Sequence, residues 1–257
     1  MDTVNYMPER RLVAFMDILG FREQTKRCLD DSSLLEALDR ALRATDYLVK
    51  PYLGFTTDTR MFSDCICSSS PFEPNNVFKF IYTLEAVQMN LVANGVFVRG
   101  GIAVGRHFES PRMILSEGLS EAYLLESSTA IFPRIVATEE TVRVIAEAAA
   151  QATEPDNWDG GPMSLKEALS RHFRRDVDGT LFLSYLMSLH RIDRSAIVME
   201  YIDSHKEAVQ RWIADGRESG APERVRLKHE WARNYHNVMI AEFFRLDDFE
   251  GDEFILD

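Results

Sequence analysis

Two aspartates each lie in an otherwise apolar, strand-like segment, where a carboxylate is an unusual side chain. Asp17 is near the end of RLVAFMDIL (11–19), and Asp64 lies within the stretch 55–70. Burying an unpaired carboxylate is costly, and two adjacent carboxylates repel each other unless a cation lies between them. Mg²⁺ suits that position, because it takes one or two carboxylates together with substrate phosphate oxygens. The pair predicts a two-metal site for phosphoryl transfer. The alternative is that Asp17 caps the next turn and Asp64 pairs with a lysine or arginine.

A third strand-like segment, VFVRGGIAVG (96–105), contains two adjacent glycines. Gly100 and Gly101 remove side chains where a ligand or another backbone must come close. This strand is therefore expected to lie beside the two acids.

Apolar periodicity predicts the elements that position these residues. In the strand 11–19, Val13, Phe15 and Asp17 share one face, and in the strand pair 55–70 Phe62, Asp64 and Ile66 share one face. Helices are predicted from the capping box Ser33/Glu36 to near Pro51, over 77–91 and 119–127, from Thr138 to about Ala150, and over 194–214 and 223–244. Further strands are predicted over 132–137 and after a hairpin turn at Asp178-Gly179. This order predicts an α+β fold, an α/β sandwich with a C-terminal helical extension.

Composition excludes several classes of protein. Among 257 residues there are 29 Lys+Arg and 41 Asp+Glu, a net charge of −12, which argues against a nucleic-acid groove. The N-terminal segment has no apolar signal region, no apolar run is long enough to span a bilayer, and the three cysteines form no CxxC. A cytoplasmic protein without membrane or nucleic-acid partners is expected. The acidic end DDFEGDEFILD (247–257) is expected to be solvated or frayed.

The motifs FMDILGF (15–21), FSD (62–64) and VRGGIAVG (98–105) resemble, in this order, three landmarks of the class III nucleotidyl cyclases. PRIVATEETVRVI, which begins at Pro133, resembles the late strand and helix of that family. The resemblance covers residues 9–187. It implies a ferredoxin-like palm as the catalytic domain (1–190), followed by a helical extension with an acidic tail (191–257).

The resemblance also implies roles for individual residues. Asp17 and Asp64 would bind two divalent ions, Mg²⁺ or Mn²⁺, with the Ile18 carbonyl completing one site. The backbone amides of Leu19, Gly20 and Phe21 would cradle the triphosphate. A homodimer with its sites at the interface is implied as well.

Other positions depart from the purine-specific pattern of the family. Arg60 replaces a lysine four residues before the second aspartate. Ser120 and Leu124 stand where an asparagine and an arginine act on the ribose and the transition state. Either the chain is a catalytically incomplete regulatory module, or it reads another base and takes its transition-state cation from elsewhere.

The second option fits a subgroup, because the full motif set resembles the cyclases of the pyrimidine cyclase system for antiphage resistance (Pycsar). A helical K-x-x-W-x-x-x-YHN motif, here Lys228 to Asn237, belongs to this resemblance. It implies cyclisation of UTP, preferred here, or of CTP, to a 3′,5′-cyclic monophosphate that activates a separate effector. Another palm-like enzyme, such as a diguanylate cyclase or a polymerase, is the remaining alternative, but no GG(D/E)EF motif is present.

Four further side chains are candidates for the substrate, each with an alternative. Arg99 could donate to a pyrimidine O2 or O4, or form a salt bridge under the sheet. Tyr52 could stack on the base or pack in the core. Arg106 and Arg134 could bind phosphate or make ordinary surface pairs.

Overall fold

The computed structural model describes residues 7–49, 57–110, 112–153, 157–158, 161–162, 169, 171–191, 196–245 and 254–256. Its helices are α1 (Phe21–Asp30), α2 (Ser32–Val49), α3 (Pro74–Ala93), α4 (Glu117–Ser128), α5 (Glu139–Ala149), α6 (Ala196–Glu218) and α7 (Glu223–Arg245). Its strands are β1 (Glu9–Ile18), β2 (Asp58–Phe62), β3 (Cys65–Pro71), β4 (Val98–Glu109), β5 (Ile114–Ser116), β6 (Ile135–Ala137), β7 (Asn157–Trp158), β8 (Gly161–Pro162), β9 (Phe173–Arg175) and β10 (Leu181–Leu183), with a 3₁₀ helix at Tyr185–Arg191.

The main sheet has the order β2-β3-β1-β4-β6-β10-β9, with β5 paired to β4. The pairs β2–β3, β3–β1 and β1–β4 are antiparallel. With helices between β1 and β2 and between β3 and β4, this is the ferredoxin-like arrangement. The predicted α+β class is confirmed, and two long helices follow the sheet as expected. No described helix is long and apolar enough to cross a membrane.

Strand β1 has two faces with different environments, as its alternation predicts. Leu12, Ala14, Met16 and Ile18 are buried in the main core with residues of α3 and α5. Asp17 and Phe15 point to the opposite face, where α4 lies, and the Phe15 ring meets Tyr123 of α4 edge-on with centroids 5.4 Å apart. We call this second side of the sheet the Asp17 face.

The glycines of β4 permit close approach of protein backbone. A Cβ on Gly100 would lie 2.5 Å from the Phe15 carbonyl oxygen, and one on Gly101 would overlap the Ala122 carbonyl of α4. A Cβ on Gly105 would lie 2.5 Å from the Gly118 amide nitrogen. Of the two explanations left open by the sequence, a neighbouring backbone accounts for both Gly100 and Gly101.

Helices α6 and α7 pack against the end of the sheet that carries Asp17. A second core joins Leu19 and Phe97 of the palm to residues of both helices, and the Phe97 ring stacks on Trp212 of α6 at 4.0 Å between centroids. The domain boundary at residue 190 remains a prediction, because this core continues from the palm into the extension.

The end of the acidic tail is docked, so the expectation of a frayed tail is wrong for residues 254–256. Phe254 and Leu256 are buried, and Asn237 exchanges two 2.8 Å hydrogen bonds with the backbone of Leu256. His236 binds the Phe254 carbonyl at 2.8 Å. His236 and Asn237 of the helical motif therefore fasten residues 254–256 to α7.

Three local predictions need correction. Helix α1 was not predicted, because its sequence FREQTKRCLD is strongly polar on average and contains few apolar residues. The start of α2 is capped by Asp31, which accepts from the Ser33 amide at 2.9 Å, rather than by a Ser33/Glu36 box. Phe62 and Ile66 lie on opposite faces, because the turn Ser63-Asp64 pairs Phe62 with Cys65 and thereby resets the alternation.

Candidate active site

Asp17 and Asp64 come together at one end of the sheet, as predicted. Asp17 is the penultimate residue of β1, and Asp64 is the second residue of the turn between β2 and β3. The Ile18 amide donates to the Asp64 carbonyl at 2.9 Å, which fixes the turn against β1. Ser63 has a φ of 56°, an unusual conformation for a residue other than glycine, and it directs the chain so that Asp64 lies beside Asp17.

One oxygen of each carboxylate and the Cys65 sulfur all lie within 4.8 Å of one another. Burial, the charge of Asp64 and a hydrogen bond to that carboxylate raise the pKa of Cys65 to about 11, so its thiol is protonated at neutral pH. The effective donors are therefore carboxylate oxygens, which suit Mg²⁺ or Mn²⁺ and not a thiolate-preferring metal. Asp17 and Asp64 fit the predicted divalent ions, whereas the role of the Ile18 carbonyl remains a prediction.

The N-terminus of α1 begins directly after the Asp17 strand. Gly20 has a φ of 73° and turns the chain into the helix. Among described residues, the amides of Gly20 and Phe21 donate to no backbone carbonyl, as expected at the first turn of a helix. The Leu19 amide, however, donates to the Phe97 carbonyl at 2.8 Å. The predicted phosphate cradle is therefore corrected: Gly20 and Phe21 remain available, and Leu19 is occupied.

Arg99 lies opposite Asp17 in the β1–β4 pairing, and its side chain is enclosed by acceptors. Its Nε donates to Asp17 Oδ2 at 3.3 Å, and its Nη1 donates to the Ala130 carbonyl at 3.5 Å. Burial raises the pKa of Asp17, Arg99 opposes that rise, and the neighbouring charge of Asp64 adds to it. Arg99 thus forms the salt bridge that was its alternative role. That Arg99 binds the base of the substrate remains a proposal.

Glu126 of α4 is a third acid at the site, and it was missed from the sequence. Its side chain is 4% exposed, and Oε1 lies 2.7 Å from Arg99 Nη2. That oxygen lacks an aligned hydrogen bond. Burial raises the pKa of Glu126. The charge of Arg99 opposes this rise, and the charges of Asp17 and Asp64 add to it. Helical spacing could have indicated that Glu126 is buried, because it follows Gly118 and Ala122, which are also buried, at intervals of four residues.

Arg60 and Ser120, the remaining predicted substrate residues that the structure describes, make their contacts away from Asp17. Arg60 is half-exposed and forms an ion pair with Glu109, and Ser120 lines a pocket of about 470 Å³ with Arg106 and Phe108, near the other end of β4. Tyr52 lies outside the described residues. If Ser120 binds substrate, it would therefore do so at the site formed by the Asp17 of a partner subunit.

The two candidate phosphate-binding arginines are engaged by acids. Arg134 pairs with Asp176 and Asp178, as its alternative had it, but the pair lies in the core and not at the surface, so Arg134 is not available to phosphate. Its partners keep it in the core, because a buried guanidinium is stable only when paired. Arg106 is exposed and pairs with Glu117, as its alternative reading had it.

Three solved structures are similar to parts of this chain. The adenylyl cyclase CyaB from P. aeruginosa is 18% identical, with a TM-score of 0.43 over 55% of this chain and 82% of that one. A bacterial light-regulated adenylyl cyclase is 18% identical, with a TM-score of 0.39 over 57% and 82%. A class III adenylyl cyclase-like ATP-binding protein from Pseudomonas aeruginosa is 12% identical, with a TM-score of 0.38 over 59% and 38%. No protein-family model and no curated protein matches the chain.

Proposed function

We propose that the protein is a pyrimidine nucleotide cyclase that converts UTP to 3′,5′-cyclic UMP and pyrophosphate with two divalent ions. The observation that carries this proposal is the approach of Asp17 and Asp64 to within 4.8 Å, beside the first turn of α1. Two carboxylates and free helix amides at one place suit a metal-bound triphosphate. The sequence motifs around these residues support the cyclase reading.

Each part of the site has a defined task in this reaction. Asp17 and Asp64 hold the ions, which, when bound, neutralise the triphosphate and lower the pKa of the ribose 3′-hydroxyl. The Gly20 and Phe21 amides orient the phosphates for in-line attack of that hydroxyl on the α-phosphate. The new O3′–phosphorus bond replaces the bond to pyrophosphate, which leaves, and the hydroxyl proton passes to water. Positioning and charge compensation account for such a reaction without a covalent intermediate.

Preference for a pyrimidine rests on the missing purine-reading residues and on the donors that remain. Arg99 has five N–H donors and could bind pyrimidine carbonyl oxygens once Asp17 is engaged by a cation, while Glu126 retains the other edge of the guanidinium. Arg60 and Tyr52 are further candidates for the base. UTP is proposed over CTP.

A homodimer with sites at the interface is part of the proposal. Large apolar side chains are exposed around the Asp17 face, namely Phe62 (85% exposed), Leu124 (60%) and Tyr123 (52%). Phe62 belongs to the same cross-strand row as Asp17, because both are paired with Cys65. Burying these side chains against a second copy would place the partner's α4 next to the site.

The biological role follows from the motif set. A diffusible cyclic nucleotide made in the bacterial cytoplasm during phage infection would activate a separate effector that harms the cell. Induced expression with that effector should protect a culture from phage, and the Asp17→Asn variant should not. Equal protection by both proteins would contradict a role for the product.

The activity is tested by incubating the purified chain with Mn²⁺ and, separately, UTP, CTP, ATP and GTP, and resolving cyclic product by mass. Cyclic UMP as the main product is expected. Cyclic CMP as the main product would change the substrate to CTP. If no nucleotide gives a product, the alternative is a catalytically incomplete regulatory module. The Arg99–Asp17 contact favours that alternative, because it engages an oxygen of a predicted metal ligand.

A further inference from the structure

Lys228 belongs to α7, in the helical extension, yet its charge acts on the site at the end of β1. It is half-buried, and no hydrogen bond or ion pair joins it to another residue that the structure describes. Its positive charge stabilises the ionised forms of Asp17 and Glu126. Burial lowers the pKa of Lys228 itself, and the charge of Arg99 adds to this effect. The charge of an ammonium group without a hydrogen-bond or ion-pair partner among the described residues therefore acts on both acids.

The position of Lys228 follows from helical spacing. Lys228, Trp231 and Tyr235 recur at i, i+3 and i+7, so they form one stripe along α7. Tyr235 is buried, and its hydroxyl accepts from the Leu186 amide at 3.0 Å. Trp231 packs parallel to Tyr235 with ring centroids 5.2 Å apart. The stripe faces the body of the protein, and Lys228 is the end of it whose charge acts on Asp17.

The neighbours of Lys228 are fastened to the segments that carry Arg99. Trp231 donates to Asp176 at 2.6 Å and stacks on Phe132 at 6.0 Å between centroids. Phe132 lies in the loop that contains Ala130, the carbonyl partner of Arg99. On the other side, the His229 ring meets Trp212 edge-on with centroids 4.4 Å apart. Trp212 in turn stacks on Phe97, the residue that precedes β4. The turn of α7 that carries Lys228 is thus held in place by the aromatic contacts of Trp231 and His229.

A cation without a protein partner, beside acids that suit metal ions, points to an anionic ligand. Arg99 is already bound to Asp17, Glu126 and Ala130. Within the part of the chain that the structure describes, Lys228 acts on these acids and has no ion-pair partner of its own.

We propose that Lys228 contacts the phosphates of the substrate and supplies the cation that stabilises charge as pyrophosphate leaves. This inference rests on the proposed cyclase function and makes the helical extension part of the active site. The extension contributes its charge from the same chain as Asp17 and Asp64. A compact ammonium with three donors suits a phosphate oxygen whose position shifts during the reaction.

The test compares Lys228→Met and Lys228→Arg with Arg226→Met, which removes an exposed cation from the same helix. Lys228→Met should lower kcat for cyclic UMP by about 100-fold, the scale of one lost stabilising contact. Lys228→Arg should recover part of that loss, and Arg226→Met should resemble the wild type. The Tm of Lys228→Met should not fall, because an unpaired charge is replaced by an apolar side chain of similar length.

Binding of inorganic tripolyphosphate with Mn²⁺, measured by calorimetry, separates this inference from the proposed function. Lys228→Met should weaken that binding by about tenfold, the scale of one charge-assisted hydrogen bond. If the wild type makes no cyclic product but this loss is observed, the cyclase proposal fails and the phosphate role of Lys228 stands. Wild-type tripolyphosphate affinity in Lys228→Met would overturn the inference. A fall in Tm with unchanged affinity would also overturn it, by showing a structural role.

Discussion

Arg99 donates to Asp17 across the β1–β4 pairing at 3.3 Å, while the other edge of its guanidinium lies 2.7 Å from Glu126. A strand residue thereby joins a surface-accessible acid to an almost fully buried one. This arrangement reduces the repulsion among three neighbouring carboxylates in the free protein. It also means that Arg99 competes with a metal ion for Asp17 Oδ2.

Replacing Arg99 by methionine should therefore destabilise the fold through Glu126. Arg99→Met leaves a 4%-exposed carboxyl group without its partner, which should lower the free energy of unfolding by about 1–3 kcal/mol. Adding Glu126→Gln should recover part of this loss, because the unpaired acid is then neutral. Urea unfolding of the two single variants and the double variant measures the coupling. Strictly additive effects would show that the two side chains do not interact.

Replacing either predicted metal ligand should remove both metal binding and cyclic product. Asp17→Asn and Asp64→Asn keep the side-chain size but remove the charge that holds a divalent ion. We expect at least about 100-fold weaker Mn²⁺ binding, as for loss of a ligand in a two-carboxylate site. Calorimetry measures this without turnover, and Glu23→Gln, an exposed acid on α1, is the control. Full Mn²⁺ affinity in either aspartate variant would refute the metal assignment.

The sequence predicted what short-range patterns determine. An acid in an apolar strand marks Asp17 as exceptional whatever the rest of the fold, and the order of motifs placed Asp64 beside it. Glu126 and Lys228 could not be assigned in this way, because a charged residue on a helix looks the same whether that face meets solvent or a sheet. Their orientation depends on Gly101 and Gly105, which let α4 approach, and on Trp231, which fixes α7. These are tertiary contacts.

Arg134, Asp176 and Asp178, which we call the Arg134 cluster, should make the fold sensitive to strong acid. Arg134 and the Thr180 backbone hold the pKa of Asp178 at about 2, although its burial acts in the opposite direction. The folded pKa lies below the ordinary value of 3.8, so the stabilisation is present above pH 4 and is lost as the pH falls towards 2. Asp178→Asn should show a smaller loss of Tm over this range. Parallel Tm profiles for variant and wild type would contradict the assignment.

Dimerisation through the Asp17 face should be blocked by a charge on α4. Leu124 is 60% exposed there, and Leu124→Arg would place like charges against each other near a two-fold axis. The variant should sediment as a monomer and lose cyclic product, while its Tm stays close to that of the wild type. Ile197→Arg, which changes a residue of α6 that is 54% exposed, is the matched control and should leave the dimer intact. A dimeric Leu124→Arg would place the interface elsewhere.

Acid should also loosen the helical extension, at a higher pH than the Arg134 cluster. The Phe254 carbonyl can only accept, so His236 Nε2 donates to it at 2.8 Å and the neutral ring accepts through Nδ1 from His205 at 2.9 Å. Tyr185 donates to the other nitrogen of His205 at 2.7 Å. Both histidines are thus fixed as neutral rings, and burial lowers the pKa of His236 to about 4.

Because this folded pKa lies below the ordinary 6.5, the unfolded chain takes up the proton first as the pH falls. The stability is fully present above pH 6.5 and decreases down to about pH 4, by about 3 kcal/mol at roughly 1.4 kcal/mol per pKa unit. His236→Gln should be less stable at pH 8 but should change less between pH 6.5 and 4 in urea unfolding. Identical pH slopes for the two proteins would show that His236 is not the group that titrates.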